Sequence, residues 1–228
     1  MDGVNNMITV LKHPFSLIMA SPSNGGKSTL AFNLIKHSKY LVDNTEGIGF
    51  DVVFVIYKSH QPLYDRMKEE LGIPVYFYEK TLPPEDLETF SQTFKYPLIL
   101  IDDGFCSENQ SFIQDLFIRL GHHLSISVIL ICQSLFDAGN PSLRICHRNT
   151  KALIVFACPR DQGTLRTLVH QMLPCRKKAQ QLITSLDREL QKPYNYVMFD
   201  FHPMCPQDRR FKTNILCERD PYAVALTF

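Results

Sequence analysis

A short segment near the N-terminus combines small residues, a lysine and hydroxyl groups in an order suited to holding phosphate. Residues 21–29 read Ser-Pro-Ser-Asn-Gly-Gly-Lys-Ser-Thr, and they contain the Gly-Lys-Ser that ends the phosphate-binding signature G-x-x-x-x-G-K-S/T. The backbone N–H groups of residues 24–28 are expected to surround the β-phosphate of ATP. Lys27 would reach the β- and γ-phosphate oxygens, and the Ser28 hydroxyl would ligate Mg²⁺. Ser21 stands where the signature usually has its first glycine, and a small residue there still permits the tight turn.

The alternative interpretation of this segment is a Gly-Gly turn that happens to precede a lysine and a serine. The flanking sequence favours the phosphate loop, because residues 15–20 predict a buried strand and residues 27–37 have the apolar spacing of a helix. A loop between a strand and a helix is the context that the signature requires. The predicted nucleotide-binding residues are Ser21, Pro22, Ser23, Asn24, Gly25, Gly26, Lys27, Ser28 and Thr29.

A pair of neighbouring carboxylates supplies the second candidate for chemistry. Residues 96–102 are strongly apolar up to Asp102, and Asp103 follows directly. Ligands of an open α/β sheet bind outside the carboxyl ends of its strands, so both carboxylates are expected beside the phosphate loop. We predict that Asp102 holds the hydration shell of Mg²⁺ and that Asp103 orients or deprotonates the attacking water. The alternative is an Asp-Asp-Gly turn that only caps the strand.

The order of these features predicts a subclass. Two predicted strands, 51–57 and 74–78, lie between the loop strand and the acidic strand in the chain. In the additional-strand class of P-loop ATPases, one strand is inserted between those two in the sheet, and a catalytic acid follows the Mg²⁺ aspartate. A further strand, 125–132, ends at Gln133, whose amide can contact the γ-phosphate or the attacking water and report hydrolysis. The alternative for Gln133 is a polar cap at the strand end.

The remaining pattern alternates apolar strands with helices, which predicts a mostly parallel sheet covered on both faces and hence an α/β fold. Further strands are predicted at 151–157 and 194–201, and further helices at 62–71, 83–94, 109–120, 164–172 and 176–190. We assign residues 1–201 to the core and 202–228 to a peripheral tail of the same domain.

Composition and charge indicate the kind of compartment and the kind of partner that the chain suits. Of 228 residues, 45% are hydrophobic and 21% charged, which suits a folded core. No apolar run approaches the roughly 20 residues of a membrane span, and the N-terminus has no secretory pattern. The 7 cysteines form no C-x-x-C pair, so we expect a reducing compartment without disulfides. A zinc site built on His202, Cys205 and Cys217 fits no standard spacing. Residues 140–228 carry 14 basic and 7 acidic side chains, against 10 and 16 in residues 1–139, which suggests a surface that faces a polyanion.

Three segments together resemble a known family. They are Gly-His-His-Leu-Ser-Ile-Ser-Val-Ile-Leu-Ile-Cys-Gln-Ser-Leu-Phe (121–136), Arg-Ile-Cys-His-Arg-Asn (144–149) and Val-Phe-Ala-Cys-Pro-Arg-Asp (155–161). These segments resemble viral genome-packaging ATPases of the FtsK–HerA superfamily, of the poxvirus type found in Maverick/Polinton elements and adintoviruses. The resemblance extends over residues 13–201. Departures are Ser21 for glycine and Asp103 where many relatives have glutamate.

The resemblance implies a pentameric or hexameric ring that uses ATP to move double-stranded DNA into a preformed viral capsid, through contacts with the capsid or its portal vertex. It implies an intracellular location in the infected host, at assembling virions, and no membrane partner. Such rings usually need an arginine from a neighbouring subunit. Arg119, Arg144, Arg148 and Arg160 are candidates, and Arg144 or Arg148 is favoured, although a surface salt bridge is the alternative for each.

Two other functions remain open on the sequence. A P-loop small-molecule phosphotransferase would need an acceptor pocket and typically an arginine-rich lid, and it would not need an acid pair followed by a strand-end glutamine. A non-catalytic nucleotide-binding assembly protein is expected to have lost the catalytic acid or the lysine. The chain retains both Asp103 and Lys27.

Overall fold

The structure of the chain is a computed structural model that describes residues 10–103, 108–134, 139–158, 162–216 and 224–225. Its strands are β1 (Leu11–Lys12), β2 (Ser16–Ala20), β3 (Val42–Asp43), β4 (Val52–Tyr57), β5 (Val75–Glu79), β6 (Pro97–Asp102), β7 (Ser127–Cys132), β8 (Ala152–Phe156), β9 (Tyr196–Asp200), β10 (Phe211–Thr213) and β11 (Val224–Ala225). Its helices are α1 (Lys27–Lys36), α2 (Ser38–Leu41), α3 (Pro62–Glu70), α4 (Asp86–Thr93), α5 (Gln110–Asp115), α6 (Gly121–His123), α7 (Pro141–Asn149), α8 (Gln162–Met172) and α9 (Arg176–Leu190), and a π-helical turn (Leu116–Leu120) joins α5 to α6.

Within these ranges, one large sheet organises the chain. Its strand order is β11-β10-β9-β8-β2-β7-β6-β4-β5, and the strands from β8 to β5 run parallel. The strands β9, β10 and β11 continue the sheet at one side in antiparallel order. The predicted α/β class with a mostly parallel central sheet is therefore confirmed.

The position of β7 decides how the candidate residues meet. β7 lies between β2 and β6, with Ala20 opposite Cys132 and Asp102 opposite Ile131. The strand inserted between the loop strand and the acidic strand is therefore the one that ends before Gln133. The two strands that separate them in sequence, β4 and β5, lie on the far side of β6 instead. This arrangement brings three strand ends to one edge of the sheet.

Both faces of the central strands are buried, and β2, β6 and β7 are buried at every residue. In β2, Leu17 and Met19 pack in one cluster with the apolar face of α1 and α3, whereas Ile18 and Ala20 pack in the other. The second cluster also takes in apolar residues of α5, α7, α8 and α9. Such two-sided burial explains why these strands read as continuous apolar runs, as parallel strands covered by helices do.

Several elements depart from the sequence prediction. The interval 109–120, predicted as one helix, contains α5 and the π-helical turn, and α6 continues it to His123. The helix α7 was not predicted at all, because its apolar face is short. Within the predicted tail, β10 joins the sheet with Phe211 fully buried, and Lys212 Nζ donates to Asp200 Oδ2 at 2.6 Å. Among the described residues, no helix is long and apolar enough to span a bilayer.

Candidate nucleotide-binding site

The predicted phosphate loop follows β2 and is tied to the inserted strand. Ser21 is buried, and its N–H donates to the Cys132 carbonyl at 3.3 Å, which extends the pairing of β2 with β7 by one residue. The chain then turns through Asn24 and Gly26, whose φ angles of 62° and 90° are left-handed. Gly26 occupies the N-cap of α1 and has no side chain to occupy the amides of the first turn. These donors, together with the positive end of the helix, suit an anion.

Gly25 allows the loop to close tightly. A Cβ at residue 25 would lie 1.8 Å from Ser21 Oγ and 3.1 Å from the carbonyl oxygen of Pro22. The Gly25 N–H donates to that same carbonyl at 3.3 Å. With Ser21 at its start, the loop therefore has no room for a Cβ at residue 25 unless Ser21 shifts.

Lys27 lies across the inside of this loop. Its ammonium donates to the Ser21 carbonyl at 2.7 Å and to the Pro22 carbonyl at 2.8 Å, and the residue is only 6% exposed. Burial lowers the pKa of Lys27, while the nearby charge of Asp103 opposes that shift. A poorly solvated ammonium held by two carbonyl dipoles is suited to an anion, because an anion compensates the lost hydration better than carbonyls do.

Asp102 forms the centre of a small polar cluster. Ser28 Oγ donates to Asp102 Oδ1 at 3.1 Å, and Tyr64 Oη donates to Asp102 Oδ2 at 3.1 Å. Tyr64 is fully buried and extends from α3 to the end of β6. The cluster therefore joins the first turn of α1 to the acidic strand and fixes both oxygens of the carboxylate.

Burial dominates the electrostatics of this cluster. Desolvation raises the pKa of Asp102, the hydrogen bonds from Ser28 and Tyr64 oppose that shift, and the neighbouring Asp103 adds to it. Burial next to Asp102 also raises the pKa of Tyr64, so the phenol is a neutral donor. A cation placed at Asp102 would relieve the cost of burying its charge, as bound metal ions do.

A metal ion fits these residues. Mg²⁺ in nucleotide sites keeps several waters and takes one or two protein oxygens together with phosphate oxygens. Ser28 Oγ and Asp102 Oδ1 already lie within hydrogen-bond distance of each other. No group of three or more histidine, cysteine, aspartate or glutamate side chains able to hold a metal is found in the described part of the chain. The donor set therefore suits a magnesium ion that is shared with a nucleotide.

Asp103 and Gln133 face the same open cleft. The cleft has a volume of about 380 Å³ and includes both residues together with Asp102 and Cys132 in its lining. Asp103 is exposed and has a left-handed φ of 49°, which turns the chain directly after β6. The structure thus brings the predicted acid and the predicted sensor to neighbouring strand ends beside the loop.

Several other residues that line the cleft were not predicted from the sequence. Lys58, Ser59 and Gln61 come from the connection that follows β4, whereas Asn140 and Leu143 come from the start of α7. Asn140 caps that helix by accepting the Leu143 N–H at 3.0 Å. The place of Lys58 directly after an apolar strand was the signal that could have identified it. Tyr64 gave no such signal, because a tyrosine within an amphipathic helix is ordinary.

The other predicted residues are placed as follows. Pro22, Ser23 and Asn24 are exposed on the loop, and Thr29 is exposed in the first turn of α1. Arg144 and Arg148 are exposed on α7, whose first residues border the cleft. Arg119 pairs with Asp115 at 3.1 Å, and Arg160 lies outside the described residues. Contact of an arginine with a neighbouring subunit therefore stays a prediction.

Comparisons with known proteins add little to this geometry. The chain matches no protein-family model, and no curated protein sequence is similar to it. Among solved structures, ATPases 2 and 3 of EssC from Geobacillus thermodenitrificans are similar, with a TM-score of 0.41 and 14% sequence identity. The similarity covers 62% of this chain and 32% of the EssC chain, so this chain spans about a third of the length of the EssC chain. Genome packaging stays a prediction from the sequence.

Proposed function

We propose that the chain binds ATP with Mg²⁺ and hydrolyses it. The observation that carries this proposal is the hydrogen bond between Ser28 Oγ and Asp102 Oδ1 at 3.1 Å. Ser28 directly follows Lys27, the buried lysine of the loop. The hydrogen bond joins the two side chains that a magnesium–nucleotide complex needs, from two elements far apart in sequence. Asp103 follows Asp102 directly and lines an open cleft. A turn that merely capped β6 would not need such a partner.

Each side chain has a proposed task in the reaction. Lys27 leaves the loop carbonyls and binds the β- and γ-phosphate oxygens, while Ser28 and Asp102 hold the metal. Mg²⁺ held by Ser28 and Asp102 would offset the negative charge that develops on the phosphate oxygens. Asp103 orients the attacking water and accepts its proton, since its carboxylate is exposed to the cleft. Gln133, at the end of the inserted strand, contacts the water or the γ-phosphate and senses its loss.

We also make a more specific proposal, that ATP hydrolysis drives double-stranded DNA into a viral capsid. Its support is the resemblance of residues 121–136, 144–149 and 155–161 to packaging ATPases, together with the basic C-terminal part of the chain. We propose a pentameric or hexameric ring in the infected cell, bound to the capsid or its portal vertex. Arg144 or Arg148 would reach the nucleotide of the neighbouring subunit. Contacts to DNA phosphates predict slight sequence preference and strong salt dependence.

The test of hydrolysis is phosphate release by the purified chain with and without Mg²⁺. We expect turnover to require Mg²⁺ and to be abolished in Lys27→Ala, whereas Lys39→Ala, which removes an exposed lysine from α2, keeps it. Nucleotide binding without any turnover, even with DNA, would refute hydrolysis and favour a non-catalytic assembly protein.

The test of translocation adds duplex DNA of random sequence to the same assay. We expect DNA to stimulate turnover and the stimulation to decline steeply as salt rises. Imaging with ATP and DNA is expected to reveal a ring. Phosphate transfer to a small acceptor without stimulation by DNA, or a stable monomer with full activity, would refute the motor.

A further inference from the structure

Tyr194 is an exposed aromatic residue in an unfavourable backbone conformation. It lies in the turn between α9 and β9, its surface is 73% exposed, and its φ is 58°. A left-handed φ is uncommon for a bulky residue and costs free energy. An exposed ring also forgoes the gain of burial. A residue that bears both costs at one position is a candidate for contact with a ligand.

The surrounding turn holds this conformation from both sides. Asn195 Nδ2 donates to the Glu189 carbonyl at 2.9 Å and to Glu189 Oε2 at 3.1 Å, which ties the turn to the end of α9. The Asn195 carbonyl accepts the Ala157 N–H at 3.3 Å, which ties it to the end of β8. The backbone on either side of Tyr194 is thus held in place, which reduces the backbone ordering that binding would require.

This turn lies directly beside the phosphate loop. Because β9 runs antiparallel to β8, it begins at the edge where the parallel strands end. A Cβ built on Gly26 would lie 3.7 Å from Tyr194 Cδ1 and 3.9 Å from Phe156 Cε1. The ring of Tyr194 therefore flanks the N-cap of α1, where the phosphates are proposed to bind.

The order of the strands sets the direction in which a nucleotide lies. From the loop after β2, the carboxylates lie toward β6 and Gln133 lies after β7, whereas Tyr194 lies toward β8 and β9. The γ-phosphate must face the acids and the attacking water. The nucleoside is therefore expected to leave the loop on the opposite side, where Tyr194 presents its ring.

We propose that Tyr194 stacks on the base of the bound nucleotide, an inference that rests on the proposed nucleotide binding. A ring face offers stacking area without reading a hydrogen-bonding pattern, since every base has a π-face. The site is therefore expected to accept different bases and to favour purines for their larger stacking area. Tyr194 acts in binding and not in the chemical step.

The first experiment uses the absence of tryptophan from the chain. Tyr194→Trp introduces one fluorophore at the proposed stacking position, and the control Tyr40→Trp introduces one at an exposed tyrosine in α2. ATP is expected to quench the fluorescence of the tryptophan at residue 194 in the first variant, whereas inorganic tripolyphosphate is expected to leave that fluorescence unchanged. The control is expected to respond to neither. Equal quenching by ATP and tripolyphosphate would overturn stacking.

The second experiment measures affinity. In Tyr194→Ala, the Kd for ATP is expected to rise by about tenfold, which is within the range known for base–aromatic stacking. The Kd for tripolyphosphate is expected to stay that of the wild type, and Tyr194→Phe is expected to retain wild-type affinity for both. Wild-type ATP affinity in the alanine variant would overturn this inference and leave the proposed function intact. A wild-type chain that binds neither ligand would overturn both.

Discussion

Gly25→Ala is expected to damage the phosphate loop through a single steric conflict. The added Cβ would lie 1.8 Å from Ser21 Oγ, so the two atoms must separate by about 1.6 Å to reach ordinary contact. The φ of Gly25 is not left-handed, so alanine brings no backbone strain of its own. Ser21 is buried, and rotating its Oγ away would break its hydrogen bond to the Pro22 carbonyl at 3.1 Å. Overpacking of this kind costs about 1–3 kcal/mol, and the cost falls on the loop that is proposed to bind phosphate.

A second substitution, at Ser21, is expected to relieve this steric conflict. Ser21→Gly removes both Oγ and Cβ, which are the two atoms nearest to the new methyl group, and the third, the Pro22 carbonyl oxygen, lies at 3.1 Å. The double variant is therefore expected to bind ATP about 5- to 30-fold more tightly than Gly25→Ala alone, a coupling of about 1–2 kcal/mol. Ser21→Gly by itself is expected to bind ATP nearly as the wild type does.

The assay is a double-mutant cycle in ATP affinity, with thermal unfolding followed in parallel. The control is Gly163→Ala, because a Cβ at that helical glycine meets nothing within 4 Å and is expected to leave ATP affinity unchanged. Wild-type affinity in Gly25→Ala would refute the steric reasoning. A double variant no better than Gly25→Ala would show that the conflict with Ser21 is not the cause.

Three further predictions concern other parts of the chain. Tyr64→Phe removes a donor to the Asp102 carboxylate, a loss worth about 1.5–3 kcal/mol, and is expected to raise the Mg²⁺ concentration at half-maximal turnover; an unchanged midpoint in a magnesium titration would contradict this. Burial lowers the pKa of His147 from 6.5 to about 4. As pH falls, the imidazole is therefore protonated in the unfolded chain before it is protonated in the folded chain. The free energy of unfolding in urea is therefore expected to fall between about pH 6.5 and pH 4 by up to about 3 kcal/mol, and His147→Gln is expected to flatten that slope; an equal slope in both proteins would contradict this. Lys212→Met leaves the carboxylate of Asp200 without its buried partner and is expected to lower the free energy of unfolding by about 3–5 kcal/mol; an unchanged urea midpoint would show that the pair contributes nothing.

Much of the parallel sheet could be predicted because its strands are buried on both faces. Residues 17–20, 52–57, 97–101 and 128–132 are apolar throughout, so each strand was visible without knowledge of its neighbours. The order of strands in the sheet was less accessible. That β7 and not β4 or β5 is the inserted strand depends on long-range pairing, which no local pattern encodes.

The candidate site was predictable where local sequence sets it. The loop residues and Asp102 follow a motif and an apolar strand, and the structure brings Ser28 and Asp102 together. Tyr64 and Asn140 could not be predicted, because their places in the site depend on how α3 and α7 pack against the sheet. The strand β10 was equally hidden, since three residues are too few to show a period.

Whether the chain hydrolyses ATP with Asp103 as the base is tested by comparing Asp103→Asn with the wild type in ATP affinity and Mg²⁺-dependent phosphate release. Asparagine keeps the shape of the side chain but is not a base, so we expect wild-type ATP affinity and loss of turnover by about 100-fold or more. Asn24→Asp, an equally small change at an exposed loop residue, adds a negative charge where phosphate is proposed to bind and is expected to weaken ATP binding instead. Normal phosphate release by Asp103→Asn would contradict the assignment of the acid, and absence of ATP binding by the wild type would contradict the whole account.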